Sequence, residues 1–389
     1  MSGLRIPFFR PSITEEDVAA VAECLRSGWL TSGPNVAAFE RELAAYLGVP
    51  FVNAVNSCTA AMHLALVAWR LRPGDEVITT PYTFSSTVAV ILHAGATPVL
   101  ADVREGDANI DPAEVERRLS PRTRAVLPVH FAGEPCDMEP ILDLARARGL
   151  KVLEDAAHAL GARYRGRMVG TLGDATAFSF YATKNITTAE GGALATADEE
   201  LSERVRVLTL HGMTKDAWNR YDAGGSWRYD VVEFGFKDNL PDLAAALGRS
   251  QLRRADALRA ARERAARRYL ENLRDEEYLE LPSFDPRNTH AWHLFVVRVR
   301  EGAPVGRDEV IRALAERGIG TSVHFIPVHF HTAFRRLGLW REGDFPVAER
   351  IFRGAISLPL YPDLSDAEVD EVCEALRRAL RGERTAVIG

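Results

Sequence analysis

Lys184 stands in the segment FSFYATKNITTAEGG, flanked by small and hydroxyl residues and followed by Glu190-Gly191-Gly192. The apolar run TAFSF (176–180) ends four residues before it. A primary amine on a loop just past a strand end is placed to form a Schiff base with an aldehyde. Composition adds weight to this position. Of 48 basic residues only four are lysines, Lys151, Lys184, Lys215 and Lys237, which leaves 44 arginines. Arginine cannot stand in for an amine that must lose its proton, because guanidinium stays charged in proteins. Lys151 opens an apolar run and Lys215 lies in a polar loop, so neither has comparable surroundings. Lys237, in the GFKDN loop, is a weaker rival.

Asp155 closes the run KVLED, and His158 follows three residues later. Two readings of this pair are open. One is a helix N-cap carboxylate beside a polar histidine. The other sets Asp155 against a pyridinium nitrogen, keeping that ring a strong electron sink, with His158 steadying the carboxylate or a phenolic oxygen. Asn56-Ser57-Cys58-Thr59 joins an apolar run to a helix start, where free N–H groups and the helix dipole favour a phosphate. Hydroxyl residues cap many ordinary helices as well. Phe84, in PYTFSS, suits an aromatic face over a cofactor ring or one more place in the core. HFIPVHFH brings His324, His329 and His331 within eight residues. That spacing invites a metal, but Pro327 and the bulky phenylalanines oppose a compact helical face and no carboxylate is interleaved. A wall contacting a polar ligand is the better reading, and no metal is expected.

The elements that must hold these residues alternate. FVNAV (51–55), EVITT (76–80), PVLADV (98–103), AVLPVHF (125–131), KVLED (151–155) and TAFSF (176–180) read as strands. Helical patterns lie between them, from Thr59 to about Trp69, up to about His93, and from near Asp111 and Asp137. This is the signature of βαβ units around a mainly parallel sheet, and apolar residues on consecutive positions imply cover on both faces. Sites in such sheets gather at the carboxyl ends of strands. Thr14-x-x-Asp17 marks an earlier helix start and Gly28 its stop. Beyond the sheet, 240–275 reads as one long helix linking to a smaller α+β domain with HLFVVRV (293–299) and helices near 307–317 and 365–381. The expected domains are 1–245 and 246–389, with RGERTAVIG a loose tail.

Several function classes fall away. The net charge of −6, with arginines dispersed among carboxylates, leaves no nucleic-acid footprint. No apolar run nears the ~18 residues of a membrane helix, and MSGLRIPFFRPS lacks a signal-peptide apolar region. Cys24, Cys58, Cys136 and Cys373 stand far apart with no C-x-x-C, which fits a reducing cytoplasm.

From SGWLTSGP (27–34) to SLPLYPD (357–363), the chain resembles the pyridoxal 5'-phosphate (PLP)-dependent sugar aminotransferases of the DegT/DnrJ/EryC1/StrS family, of PLP transferase fold type I. The segments that carry the resemblance include VNSCTAAMHLAL, GDEVITTPYTF, EDAAHALGA, FSFYATKNITTAEGG and FKDNLPDLAAALGRSQL, in family order. FSFYATKNITTAEGG, KDNLPDLAAA and GIGTSVHF look most like the UDP-4-amino-4-deoxy-L-arabinose aminotransferase branch. The resemblance implies an α/β large domain, a mainly parallel sheet covered by helices, with a smaller C-terminal α+β domain.

It also implies roles. Lys184 matches the lysine that binds the cofactor aldehyde, Asp155 the partner of the ring nitrogen, and His158 its neighbour against the ring. Phe84 matches the stacking aromatic. Cys58 and Thr59 fall on the phosphate turn, and Ser179 matches a serine reaching the same phosphate. Asn239 matches a phosphate ligand supplied by the other subunit of a homodimer. Trp29, Thr31, Tyr181, His324 and His329 lie on segments that face the sugar. Cys58 departs from the family's usual Gly or Ala, though the backbone N–H remains. The implied reaction moves an amino group from L-glutamate to a nucleotide-linked keto-sugar, UDP- or dTDP-linked and ketonic at C4. Dehydration or epimerisation on the same substrates is the nearer alternative, and a non-catalytic PLP-binding protein the more distant one. Retention of Lys184, which the dehydratase branch replaces by histidine, favours amine transfer.

Overall fold

The computed structural model describes residues 4–214 and 229–383; Lys215 and the last six residues of the RGERTAVIG tail lie outside the described residues. The chain begins with α1 (Glu15–Ser27) and α2 (Pro34–Leu47). Thr14 accepts from the Asp17 amide while the Asp17 carboxylate accepts from the Thr14 amide, and Gly28 closes α1 at φ 77°.

The central sheet is then laid down strand by strand. β1 (Phe51–Val55), α3 (Cys58–Ala68), β2 (Glu76–Thr79), α4 (Ser85–His93), β3 (Thr97–Leu100), α5 (Pro112–Arg117), β4 (Thr123–Val126), α6 (Met138–Arg148) and β5 (Lys151–Asp155) follow in turn. A small hairpin of β6 (Arg163–Tyr164) and β7 (Arg167–Met168) precedes β8 (Ala175–Ser179) and β9 (Gly192–Thr196). Seven strands join in the order β1-β9-β8-β5-β4-β2-β3. All neighbours pair parallel except at β9, which runs antiparallel to both β1 and β8. Two apolar cores cover its faces, one led by Phe39, Phe178 and Phe180 and the other by α3 residues such as Leu64 and Leu66.

After α7 (Glu199–Thr209), the expected long helix over 240–275 is two helices, α8 (Asp242–Leu252) and α9 (Ala255–Leu273). No proline or glycine marks the break. Arg254 leaves helical geometry (φ −117°, ψ 16°), and its guanidinium donates to Asp17 at 2.7 Å and to the Ser12 carbonyl. A tertiary anchor therefore interrupts a sequence that propensity would continue. Ala255 and Leu258 of α9 sit in the core of the large sheet, while Ala265, Tyr269 and Leu273 sit in a second core. That second core lies under the antiparallel sheet β10 (Leu279–Glu280), β11 (Phe295–Val299) and β12 (Ala355–Leu358). α10 (Arg307–Glu316), α11 (Thr332–Arg335), α12 (Pro346–Gly354) and α13 (Asp366–Leu380) complete this region. Ile6 belongs to the second core as well, its amide donating to the Gly318 carbonyl.

Among the elements without a counterpart in the sequence pattern, two are instructive. β9 is short and rich in alanine and glycine, poor in intrinsic strand preference, and is held by pairing on both edges. α2 opens at a Gly-Pro pair that suggests a turn, yet proline at the first helical position costs no hydrogen bond. No helix among the described residues is long and apolar enough to cross a membrane.

Candidate active site

Lys184 rides on the loop between β8 and β9. The Phe180 amide donates to the Gly191 carbonyl at 2.8 Å and closes the loop base, and the Thr188 amide returns to the Phe180 carbonyl at 2.9 Å. The Lys184 amide donates to the Tyr181 carbonyl, and the next residue, Asn185, reaches the Ala291 carbonyl with its side-chain amide at 2.8 Å. The ammonium is thus carried by a loop tied at its base and beside the lysine. It lies on the wall of a cavity of about 400 Å³, and among the described residues no Arg or other Lys shares the lining. Burial disfavours its charged form and pushes its pKa down to about 8, against attraction from the Asp155 carboxylate.

Asp155 ends β5, parallel to β8, and its carboxylate is 4 % exposed. Oδ1 accepts from the Ala157 amide at 3.1 Å, and Oδ2 accepts from the Thr87 hydroxyl at 2.8 Å. Thr83 Oγ1 lies 2.8 Å from Thr87 Oγ1. Cys58 Sγ is 3.9 Å from Oδ1. Burial raises the carboxyl's pKa, while the Thr87 hydrogen bond, the Ala157 amide and Lys184 oppose that rise.

The turn after β1 is built for an anion. Ser57 caps α3 by accepting from the Ala60 amide at 3.0 Å. The amides of Cys58 and Thr59, the first two residues of α3, have no carbonyl one turn back to meet. β9 passes directly beneath. A Cβ on Gly192 would overlap the Ser57 carbonyl carbon and the Cys58 amide nitrogen, and one on Gly191 would overlap the Thr188 hydroxyl. Only glycine lets the strand approach this closely.

Neutral imidazoles line another part of the wall. The His158 ring stacks on Phe325 (5.8 Å, 17°) and lies 4.3 Å from the His293 ring. Both rings are held well below the usual histidine pKa by burial, and His324 is pushed down to about 4 for the same reason. The Nδ1 atoms of His158 and His293 are buried without a partner, which leaves hydrogen-bonding capacity for a ligand.

The cavity gathers most of the residues singled out from sequence. Cys58, Thr59, Phe84, Asp155, His158, Ser179, Tyr181, Lys184 and His324 all line it. Phe84 (62 % exposed) and Tyr181 (46 %) present open ring faces, so Phe84 is not a core residue. The Asp155 side chain does turn back on the Ala157 amide as an N-cap would, so the two readings of that residue are combined rather than exclusive.

Four residues are elsewhere. His329 is 1 % exposed with Nε2 3.0 Å from Glu349 Oε1 and Nδ1 buried without a partner, so it is a core histidine and not a wall residue. Trp29 donates its indole N–H to the Ser32 carbonyl and lies against Gly33, and Thr31 is exposed on the same stretch; neither lines the cavity of its own chain. Asn239 bridges to Val55 and donates to Ser32 Oγ at 2.7 Å, also off the lining. Among the lysines, Lys151 pairs with Asp174 at 3.1 Å and Lys237 with the Asn239 side chain, both away from the cavity. No group of three or more His, Cys, Asp or Glu among the described residues is arranged to hold a metal. Thr83, Thr87, His293 and Phe325 escaped the sequence reading. The i, i+4 spacing of Thr83 and Thr87 at the α4 start was the one available signal.

These residues fit pyridoxal phosphate. A buried carboxylate can face its ring nitrogen, a lone amine its aldehyde, a hydroxyl-rich helix start its phosphate, and an exposed phenylalanine its ring face.

The model of the DegT/DnrJ/EryC1/StrS aminotransferase family matches residues 11–377. The spore coat polysaccharide biosynthesis protein SpsC of Bacillus subtilis is 52% identical over 379 residues, covering 97% of each chain. Among solved structures, the putative sugar aminotransferase Spr1654 of Streptococcus pneumoniae superposes with a TM-score of 0.91 in its PMP form, at 34% identity over 97% of this chain and 100% of that one. Its PLP form superposes with a TM-score of 0.89, over 98% and 100%. Helicobacter pylori PseC, an aminotransferase of pseudoaminic acid biosynthesis, gives 0.89 at 31% identity, over 97% and 99%.

Proposed function

This chain belongs to the DegT/DnrJ/EryC1/StrS aminotransferase family and is a PLP-dependent aminotransferase, and from that premise we propose that it moves the amino group of L-glutamate to the keto carbon of a nucleotide-linked sugar. The observation that carries the reading is the Lys184 amine, the one Lys or Arg on the cavity wall among the described residues and pushed down to about 8, beside a buried Asp155 carboxylate. Relatives whose names place them in polysaccharide and sugar biosynthesis support the acceptor class.

Bound PLP supplies an aldehyde that takes up the amine and a ring that withdraws the electrons left when a proton is removed. Everything else is done by the chain. At pH 8 about half of the Lys184 amine carries no proton, so it can act as a base without a large free-energy cost. Its Nζ takes the proton from the donor's α-carbon. In the second half of the cycle Nζ delivers a proton to the sugar carbon that gains nitrogen. The Asp155 carboxylate holds the ring nitrogen's proton in place. Amides of Cys58 and Thr59, with hydroxyls of Thr59 and Ser179, would hold the phosphate, and Phe84 would cover one face of the ring. His158, neutral and unpartnered at Nδ1, is free to hydrogen-bond the ring's phenolic oxygen.

Asn239 fits a role in trans. It is off its own cavity, yet it adjoins the end of β1, since the Asn56 amide donates to the Asp238 carbonyl at 2.8 Å. In a homodimer this loop would serve the partner's phosphate turn, and Trp29 and Thr31 would join the partner's sugar site. Cytoplasmic location follows from the chemistry of such substrates. Holoenzyme mixed with L-glutamate and no sugar should release about one 2-oxoglutarate per chain and then stop. Absence of that single turnover, with alanine or glutamine giving one instead, would remove glutamate as donor.

A further inference from the structure

Thr87 has no place in the roles above. It is fully buried, it does not line the cavity, and yet its hydroxyl sits 2.8 Å from Asp155 Oδ2. Thr83, 2 % exposed and itself on the cavity lining, lies 2.8 Å from the Thr87 hydroxyl. Thr87 has one proton. An ionised Asp155 can only accept, so that proton goes to Oδ2, and the bond between the threonines must run from Thr83 to Thr87. The order Thr83→Thr87→Asp155 is therefore fixed whenever the carboxylate is charged. On the other oxygen the Ala157 amide donates to Oδ1. Each oxygen thus has one strong donor within the chain and keeps capacity for another.

We propose that Thr87, backed by Thr83, is a positioning residue that fixes the rotation of the Asp155 carboxylate and holds it ionised for the ring nitrogen of PLP. The inference rests on the reading of Asp155 as the partner of that nitrogen. Chains of hydroxyls ending on an anion polarise one another, and a hydrogen bond to a buried charge is stronger than one between neutral groups. The need is real at this place, because burial pushes the Asp155 carboxyl toward its neutral form, which cannot pair with a pyridinium. Other groups facing the carboxylate are Cys58 from α3, buried and neutral, Lys184 from the β8–β9 loop, and His130 beyond β4. His158, on Asp155's own segment, is also neutral. Lys184 favours ionisation too, but it gives up its charge as its amine deprotonates. Thr87 is the hydroxyl donor that persists at all pH.

The test is the affinity of the apoenzyme for PLP, followed by fluorescence quenching across pH 5 to 8, in the native chain, Thr87→Val, Thr87→Ser and Asp155→Asn. Valine keeps the volume and removes the donor. Affinity of the native chain should fall as acid neutralises Asp155. In Thr87→Val that fall should begin at higher pH, and affinity at pH 7 should drop about ten-fold or more. Thr87→Ser should restore both, which a loss of packing alone would not produce. If valine proves too damaging to fold, Thr83→Val, which leaves the last donor in place, should shift the acid midpoint the same way by less. Unchanged affinity and midpoint in Thr87→Val, with both altered in Asp155→Asn, overturns the role of Thr87 alone. No change in Asp155→Asn would instead remove Asp155 as the ring's partner.

Discussion

Lys184→Arg abolishes turnover even though it keeps the charge. Positioned proton transfer contributes roughly 10²–10⁴-fold, and the arginine cannot act as the base because its guanidinium does not deprotonate. The covalent hold on the cofactor's aldehyde is lost in the same change. The fold should be unaffected: Lys184 lines a cavity of about 400 Å³ with room for the larger head group, and its loop is tied through Phe180, Gly191 and Asn185. Steady-state assay and thermal melting of the same preparation separate the two effects. Activity above a few per cent of the native level, in a variant that melts normally, would end the assignment of Lys184 as the proton carrier.

Asp155 carries the second large effect. Breaking a buried ion pair by removing one member costs roughly 3–5 kcal/mol, about 10²–10⁴-fold. In Asp155→Ala the loss should fall on PLP affinity and on turnover together, because the Thr87 hydroxyl and the Ala157 amide also lose their acceptor. Asp155→Asn keeps the shape and a carbonyl acceptor but no charge. It should therefore lose more in kcat than in cofactor affinity. Equal kcat in the native and asparagine chains would show that no anion is needed against the ring nitrogen.

The sheet was legible because its strands are apolar on consecutive positions and are spaced by helix-length segments; β1 and β5 fall where FVNAV and KVLED place them. The lysine was legible for a different reason. In a chain that uses arginine almost everywhere, a lysine beyond a strand end is a chemical choice. β9 was hidden because Gly192 serves clearance beneath the phosphate turn rather than strand preference. The break at Arg254 depends on Asp17, 237 positions away along the chain, so no local window contains it. His329 misled for a similar reason. Its partner Glu349 lies 20 residues on, and only packing decides whether a histidine in HFIPVHFH looks into the cavity, as His324 does, or into the core.

The central step of the proposed function is the passage of nitrogen from an amino acid to a sugar. Holoenzyme incubated with ¹⁵N-labelled L-glutamate and a panel of UDP- and dTDP-linked 4-keto-sugars, followed by product mass, tests this directly. The expected product is a nucleotide amino-sugar carrying ¹⁵N, formed one for one with 2-oxoglutarate. A sugar product that has lost oxygen or changed configuration without gaining nitrogen would contradict it.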